Sequence, residues 1–328
     1  MPYSDMKQDQ LEAYRPVVPA PEDFDTRWEG TLAEARTHGS GVTLAPVDAG
    51  LALVDVWDMT FPGFGGDPIK AWYLRPRGVE GDLPLVVEFI GYTGGRGLPH
   101  ERLLWPAAGY AYVVMDTRGQ GSGWGGGGDT SDASGSGDAG SPAVAGYLTR
   151  GVRDFDSYYY RRLLTDAARC VEESRQLPGI DRDRVAVAGV SQGGGLAIAA
   201  AGLVDGLSAA LVDVPFLCHI RRAVDVADND PYQEIARYLA IHRERADETF
   251  RTVSYVDGVH HAARATAPAL FSVALRDATC PPSTVYAAYH AWGGDAEMAV
   301  YPFNAHEGGG PHQQARQVAF LERIWARA

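Results

Sequence analysis

Cysteine is scarce in this chain: Cys170, Cys218 and Cys280 are three among 328 residues. Scattered as they are, they are too few for a disulfide framework or a zinc site. Cationic side chains also fall short. The 29 Lys and Arg face 42 Asp and Glu, leaving a net charge of −13 and an isoelectric point of about 5.1. With no basic run and no aromatics interleaved among Lys or Arg, a polyanion such as nucleic acid is not an expected partner. Apolar runs are short, and none approaches the roughly 20 residues that cross a bilayer. Met1 to Gln10 lacks the basic and apolar regions of a signal peptide. No internal repeat is evident. The expectation is a soluble, cytoplasmic protein with neither nucleic acid nor membrane as partner.

What is present is a regular rhythm. Hydrophobic residues make up 45% of the chain, enough for one large α/β domain or two small ones. The first forty residues read as an extended arm and a helix. Pro21-Glu22-Asp23 puts a proline and two acids where a helix N-terminus favours them. Phe24, Trp28 and Leu32 follow at four-residue spacing on one face. Residues 42–75 alternate as strands. Short apolar strands follow at 83–90, 110–115, 185–188, 208–212, 269–275 and 297–301, with helices predicted over 161–176 and 311–327. This alternation predicts a mostly parallel central sheet covered by helices on both faces.

Two stretches break the rhythm. Residues 119–142 are dense in Gly, Ser and Asp and read as a long exposed loop, of a kind that is often functional or mobile. Residues 216–262 form a polar helical excursion between two strands. It is either a cap over an active site or a helical pair on the surface without contact to substrate.

The chemistry centres on Gly189-Val190-Ser191-Gln192-Gly193, between an apolar strand and a helix-forming run. A Gly-x-Ser-x-Gly turn in that setting is the nucleophile elbow of the α/β-hydrolases. The turn is sharp and strained, so small residues must flank the serine. A serine hydroxyl is a weak nucleophile and needs a base in contact and an acid to orient that base. In this fold the chain order is Ser, acid, His, with the partners beyond the C-terminal ends of later strands. Asp277 follows the strand 269–275 and His306 follows the strand 297–301, so both have the required order and place. Asp213 follows a strand too, but one that comes too early. His260 and His261 precede Asp277, and His312 lies inside the last helix.

An oxyanion hole needs two converging donors. The N–H of Gln192 supplies one, and the loop Gly91-Tyr92-Thr93-Gly94-Gly95 the other, through Tyr92. Tyr92 read without function is a packing aromatic at a strand end. Arg118, in Arg118-Gly119-Gln120, could bind an anionic substrate or hold neighbouring loops through buried ion pairs, and the structural role is expected.

These residues resemble carbohydrate esterase family seven, the acetyl xylan esterases and cephalosporin C deacetylases. Arg118-Gly-Gln120, Gly189-Val-Ser-Gln-Gly193 and His306-Glu307 match in order. So do Leu11-Glu-Ala-Tyr-Arg-Pro16, Pro21-Glu-Asp-Phe24 with Trp28, Gly91-Tyr-Thr-Gly-Gly-Arg-Gly97, Gly151-Val-Arg-Asp, Tyr158-Tyr-Tyr-Arg161 and Val214–Ala223. The resemblance covers nearly the whole chain. It implies a single α/β-hydrolase domain over residues 1–328, with the N-terminal extension 1–40 and the helical insertion 216–262 near the active site. Ser191 would be nucleophile, His306 base and Asp277 its orienting acid, with the Tyr92 and Gln192 amides as substrate-binding oxyanion donors. No metal or other cofactor is implied. A homo-hexamer with active sites facing an internal chamber is, and it admits only small acetylated substrates. The chain departs from the family at Ile90, where His is usual, and at Thr93, where Asn is usual. The Gly125–Gly128 run and the Ser-Gly-Asp segment after it look looser than the family's. These changes bear on substrate preference and leave catalysis intact.

The reading that follows is a serine esterase that deacetylates small acetylated sugars, short xylo-oligosaccharides or cephalosporin C through an acetyl-enzyme. One alternative is an amidase or peptidase of the prolyl-oligopeptidase kind, which usually carries an additional large domain. Another is a catalytically silent binding protein on the same fold, which a fluorophosphonate would fail to label.

Overall fold

A computed structural model describes residues 5–123, 126–132 and 143–326. Nine strands form one sheet: β1 (Thr43–Val47), β2 (Val54–Pro62), β3 (Pro68–Pro76), β4 (Leu83–Phe89), β5 (Ala111–Met115), β6 (Ile180–Val190), β7 (Ala209–Asp213), β8 (Ala269–Ala274) and β9 (Ala296–Tyr301). Their spatial order is β1-β2-β3-β5-β4-β6-β7-β8-β9. The first four in that order are antiparallel neighbours, and from β5 through β9 every pairing is parallel. The sheet is therefore mostly parallel, as the alternation of strand and helix patterns predicted. The chain steps from β4 outward to β5 and then returns past β4 to β6. That reversal opens a crevice beyond the C-terminal ends of β4 and β6, the usual place for a ligand in such a sheet.

The helices are α1 (Gln8–Ala13), α2 (Phe24–Thr37), α3 (Leu104–Ala107), α4 (Tyr159–Ser174), α5 (Gln192–Leu203), α6 (Ile220–Val226), α7 (Gln233–Ile241), α8 (Ala246–Ser254), α9 (Gly258–Ala262), α10 (Pro282–Ala291) and α11 (Gly310–Trp325). Alternation along β4 sorts its side chains between two cores. Leu85, Val87 and Phe89 face the side of α2, α4 and α5. Val86 faces the side of α3 and α11 with Trp105, Phe320 and Leu321. Each such side chain buried on folding contributes about 1.5–3 kcal/mol. In α2 the expected face is the buried one: Phe24, Trp28 and Leu32 lie inside, and Trp28 Nε1 donates to the Tyr255 carbonyl at 2.8 Å.

Three expectations need correction. The arm is not wholly extended, because α1 forms in it and buries Leu11. Strand β6 begins at Ile180, earlier than its apolar run, since Leu83 pairs with Ile180 before a register shift. The long Gly-rich loop is not simply exposed. Gly119, Gln120, Thr130 and Asp132 are buried, and Gly95 and Gly97 donate to the carbonyls of Gly126 (2.9 Å) and Gly127 (3.1 Å). Residues 124–125 and 133–142, including much of the Ser-Gly-Asp segment, lie outside the described residues.

The excursion comprises α6 to α9. It is anchored in the protein, with α9 against α5 and α10 and Tyr232 and Ile235 fully buried.

Candidate active site

The elbow is built by backbone against backbone. Ser191, the last residue before α5, has φ 60° and ψ −121°, a conformation that L side chains rarely adopt. A Cβ on Gly189 would lie 2.2 Å from the Gly193 carbonyl carbon, and one on Gly193 would lie 2.1 Å from the Phe89 carbonyl oxygen. Only glycine lets β4, β6 and α5 approach so closely. The neighbouring strand end locks the turn. Ser191 N–H donates to the Asp213 carbonyl (3.0 Å), and the Ser191 carbonyl accepts from Phe216 N–H (2.9 Å). Val214, Leu217 and His219 in that segment also have positive φ, as does Thr93. Thus all five non-glycine residues of positive φ among the described residues lie on segments that meet at this turn. Backbone strain of this kind gathers at functional sites.

Ser191, His306 and Asp277 come together in one hydrogen-bonded line. His306 Nε2 lies 2.9 Å from Ser191 Oγ, and His306 Nδ1 lies 2.8 Å from Asp277 Oδ2. Asp277 is fully buried. Its Oδ1 accepts the N–H groups of Thr279 (2.8 Å) and Cys280 (2.9 Å), so the carboxylate is fixed from the side away from the histidine. Beside an ionised Asp277, Nδ1 carries the proton and Nε2 presents a lone pair to the serine hydroxyl. Glu307 shapes the histidine's turn: its carboxylate accepts from Asn304 Nδ2 (2.6 Å) and Ala305 N–H (3.0 Å). The Asn304 bond foremost holds that carboxyl below its ordinary range. Cys280 Sγ completes an Asp–Cys–His cluster whose ligand atoms lie within 4.8 Å of one another. The Asp277 and His306 atoms are already engaged in the line to Ser191, so a metal ion there would have to displace it.

The loop after β4 is held by side chains from distant segments. Gln120 Oε1 accepts Thr93 N–H at 2.6 Å. The Gln120 amide nitrogen donates to Tyr159 Oη (2.9 Å) and Gln192 Oε1 (3.0 Å). Gln192 Oε1 also accepts from Tyr160 Oη (2.9 Å), and Gln192 Nε2 donates to the Ile90 carbonyl (3.2 Å). The Gln192 side chain thus ties the elbow to the loop that carries Tyr92. Tyr92 is buried, with its ring edge-on to Tyr147 and Phe216. Beside the loop, Gly91, Gly94, Gly95, Gly126 and Val190 line a cleft of about 220 Å³.

The other candidates have different places. Arg118 is fully buried and pairs with Asp166 (2.5 Å), Asp67 (3.0 Å) and Asp132 (3.3 Å). Burial pulls its guanidinium down, but these carboxylates outweigh burial and hold it above its ordinary value. It is a structural knot, as expected. Asp213 is buried under the elbow and accepts from Gln313 (2.9 Å) and Gln317 (2.7 Å). Burial pushes its carboxyl up to about 7. His260 and His261 are packed against Phe24, and burial pushes them down to about 4 and about 3. His312 lies exposed on α11. Sequence reasoning missed Gln120, Tyr159 and Tyr160 as the network under the loop. The available signals were that Gln120 shares a motif with Arg118 and that Tyr159 and Tyr160 lie in the matching segment Tyr158–Arg161.

A mostly parallel sheet, with a serine on the turn after β6 and an acid and a histidine on the turns after β8 and β9, defines the α/β-hydrolase fold. The sequence model of the acetyl xylan esterase (AXE1) family matches residues 1–324, and the chain belongs to that family of carboxylic ester hydrolases. Its structure is similar to acetyl xylan esterase from Paenibacillus sp. R4, with TM-score 0.88 and 35% identity over 97% of this chain and 99% of that one. It is likewise similar to acetyl xylan esterase 1 from Thermoanaerobacterium sp. JW/SL YS485, with TM-score 0.87 and 32% identity over 98% and 99%. Acetyl esterase Axe7A of Xylanibacter ruminicola is 26% identical over 304 residues, 90% of this chain. The chain spans 65% of that relative's length.

Proposed function

We propose that this protein is a serine esterase that removes acetyl groups from small acetylated substrates such as acetylated sugars, short xylo-oligosaccharides and cephalosporin C. The observation that carries the reading is the unbroken line Asp277–His306–Ser191 on a strained elbow. Family membership directs that line toward ester bonds.

In the reading, Ser191 attacks the acetyl carbonyl as His306 Nε2 takes its proton. The oxyanion is held by the backbone N–H groups of Tyr92 and Gln192, the latter at the positive N-terminus of α5. His306 then protonates the leaving alcohol. Water, activated by the same histidine, releases acetate from the acetyl-enzyme. Ser191 is only 7% exposed, with buried Cys280 beside it, which favours a short acyl group. A homo-hexamer belongs to the same proposal, and light scattering of the purified protein tests it.

The decisive experiment is a panel of acetylated xylose, xylo-oligosaccharides and cephalosporin C, run beside p-nitrophenyl esters from acetyl to butyryl. Acetate release is expected, with kcat/KM falling steeply as the acyl chain lengthens. Ser191→Ala lowers it at least about 10⁴-fold. Flat chain-length dependence, or an unimpaired Ser191→Ala, would overturn the reading.

A further inference from the structure

We propose that Glu234, on the helical excursion, is a positioning residue for the oxyanion hole, acting by clamping the side chain of Tyr92. The inference rests on the oxyanion role proposed above for the Tyr92 amide.

Tyr92 sits in a loop of small residues: Gly91 precedes it, and Gly94 and Gly95 follow Thr93. Glycine lets the backbone come close to a substrate but does nothing to fix it. An oxyanion donor, however, works only if it is already in place when charge develops. Gln120 fixes the loop at Thr93 N–H, and the one large side chain in the loop fixes it at Tyr92. The Tyr92 hydroxyl donates to Glu234 Oε1 at 2.5 Å. It also accepts the N–H groups of Gly146 (3.2 Å) and Tyr147 (3.0 Å). The same carboxylate accepts Gly146 N–H on Oε1 (3.1 Å) and Leu148 N–H on Oε2 (3.0 Å).

Glu234 lies in the first turn of α7 and is 7% exposed. One buried carboxylate thus joins the excursion, the loop after β4 and the turn at 146–148. Burial raises its carboxyl above the ordinary range, and the Tyr92 and Leu148 hydrogen bonds pull against that rise. Burying a carboxylate is costly unless hydrogen bonds satisfy it. Here all of those bonds converge on the segments that surround Tyr92. The excursion, on this view, reaches the chemistry from beneath the oxyanion loop.

The test compares wild type, Tyr92→Phe, Glu234→Ala and the double variant in p-nitrophenyl acetate hydrolysis. A trifluoromethyl ketone, whose serine adduct carries the same oxyanion, serves as second probe. Each single variant is expected to lower kcat about tenfold with KM within about twofold, part of the 10²–10³ that a lost donor costs. Ketone affinity should fall by the same factor as kcat. The double variant should cost no more than either single one, because both cut one clamp. Folded variants with kcat within twofold of wild type would overturn the proposal, as would a loss confined to KM. Thermal melts showing that both variants fail to fold would also overturn it and make the clamp a stability element only. Wild-type protein that releases no acetate would sink the esterase reading itself, whereas an active wild type with indifferent variants sinks only the clamp.

Discussion

Ser191 and Thr93 share an unusual backbone, with φ of 60° and 65°, yet they are held in opposite ways. Ser191 is held by main chain. Two glycines allow β4, β6 and α5 to touch, and the end of β7 bonds to the serine's own N–H and carbonyl. Thr93 is held by a side chain from elsewhere, the Gln120 amide on its N–H, and by Gly121 and Gly123, whose N–H groups donate to its carbonyl at 3.2 Å each. The nucleophile's turn is thus a property of local sequence and sheet packing. The oxyanion loop is a property of a network. A β-branched residue at positive φ is a true conformational outlier. Thr93 therefore adds backbone strain to a loop that depends on distant partners.

The contrast can be broken from the elbow side first. Gly193→Ala puts a methyl group on the Phe89 carbonyl. It should lower acetate release at least about 10²-fold by misplacing the serine and destabilise the fold by roughly 3 kcal/mol, both read on purified protein by kinetics and denaturant titration. Next comes the network. Gln120→Ala strips Thr93 N–H and the Gln192 amide of a partner. Acetate release should fall about tenfold, with roughly 2 kcal/mol lost for the unpaired buried groups. An unchanged rate would show that the loop holds itself.

A third test concerns the support under the elbow. The Asp213 carboxyl, pushed up to about 7 by burial, is protonated in the folded state at pH values where the unfolded chain has already lost its proton. Its contribution is fully present below the unfolded value near 3.8 and is lost as pH rises through about 7. The thermal midpoint should fall through this group between about pH 4 and 7, and Asp213→Asn should flatten that fall; an equal slope in the variant would assign the dependence elsewhere. The smallest effect belongs to Thr93→Gly. Removing the strained β-branched side chain should raise stability by about 1 kcal/mol, and a lower midpoint would mean that the threonine's contacts outweigh its strain.

How legible these features were follows the same contrast. The elbow, the strands on either side of it and the turns carrying Asp277 and His306 could be read because each is a local pattern at a strand end. The parallel sheet followed from the same alternation. Arg118 was legible as a buried structural cation, although its three carboxylates, at 67, 132 and 166, share no spacing with it. Glu234 was hidden in a polar helix where a carboxylate ordinarily faces water, and the matching segment Tyr158–Arg161 gave no sign of what Tyr159 and Tyr160 would bond to. Nothing in a one-dimensional pattern tells a buried, hydrogen-bonded polar group from a solvated one. The Gly-rich loop misled for a related reason. Its glycines signalled exposure, but Gly121 and Gly126 are small because backbone packs on backbone.

Everything proposed for this site depends on the identity of the nucleophile. Intact protein would be reacted with a fluorophosphonate, digested and mapped by mass spectrometry while acetate release is followed in parallel. The expected result is a single adduct on the peptide containing Ser191, with activity falling in step with labelling and both absent in Ser191→Ala. Acetate release that persists with Ser191 fully labelled, or an adduct on another residue that tracks the lost activity, would contradict it.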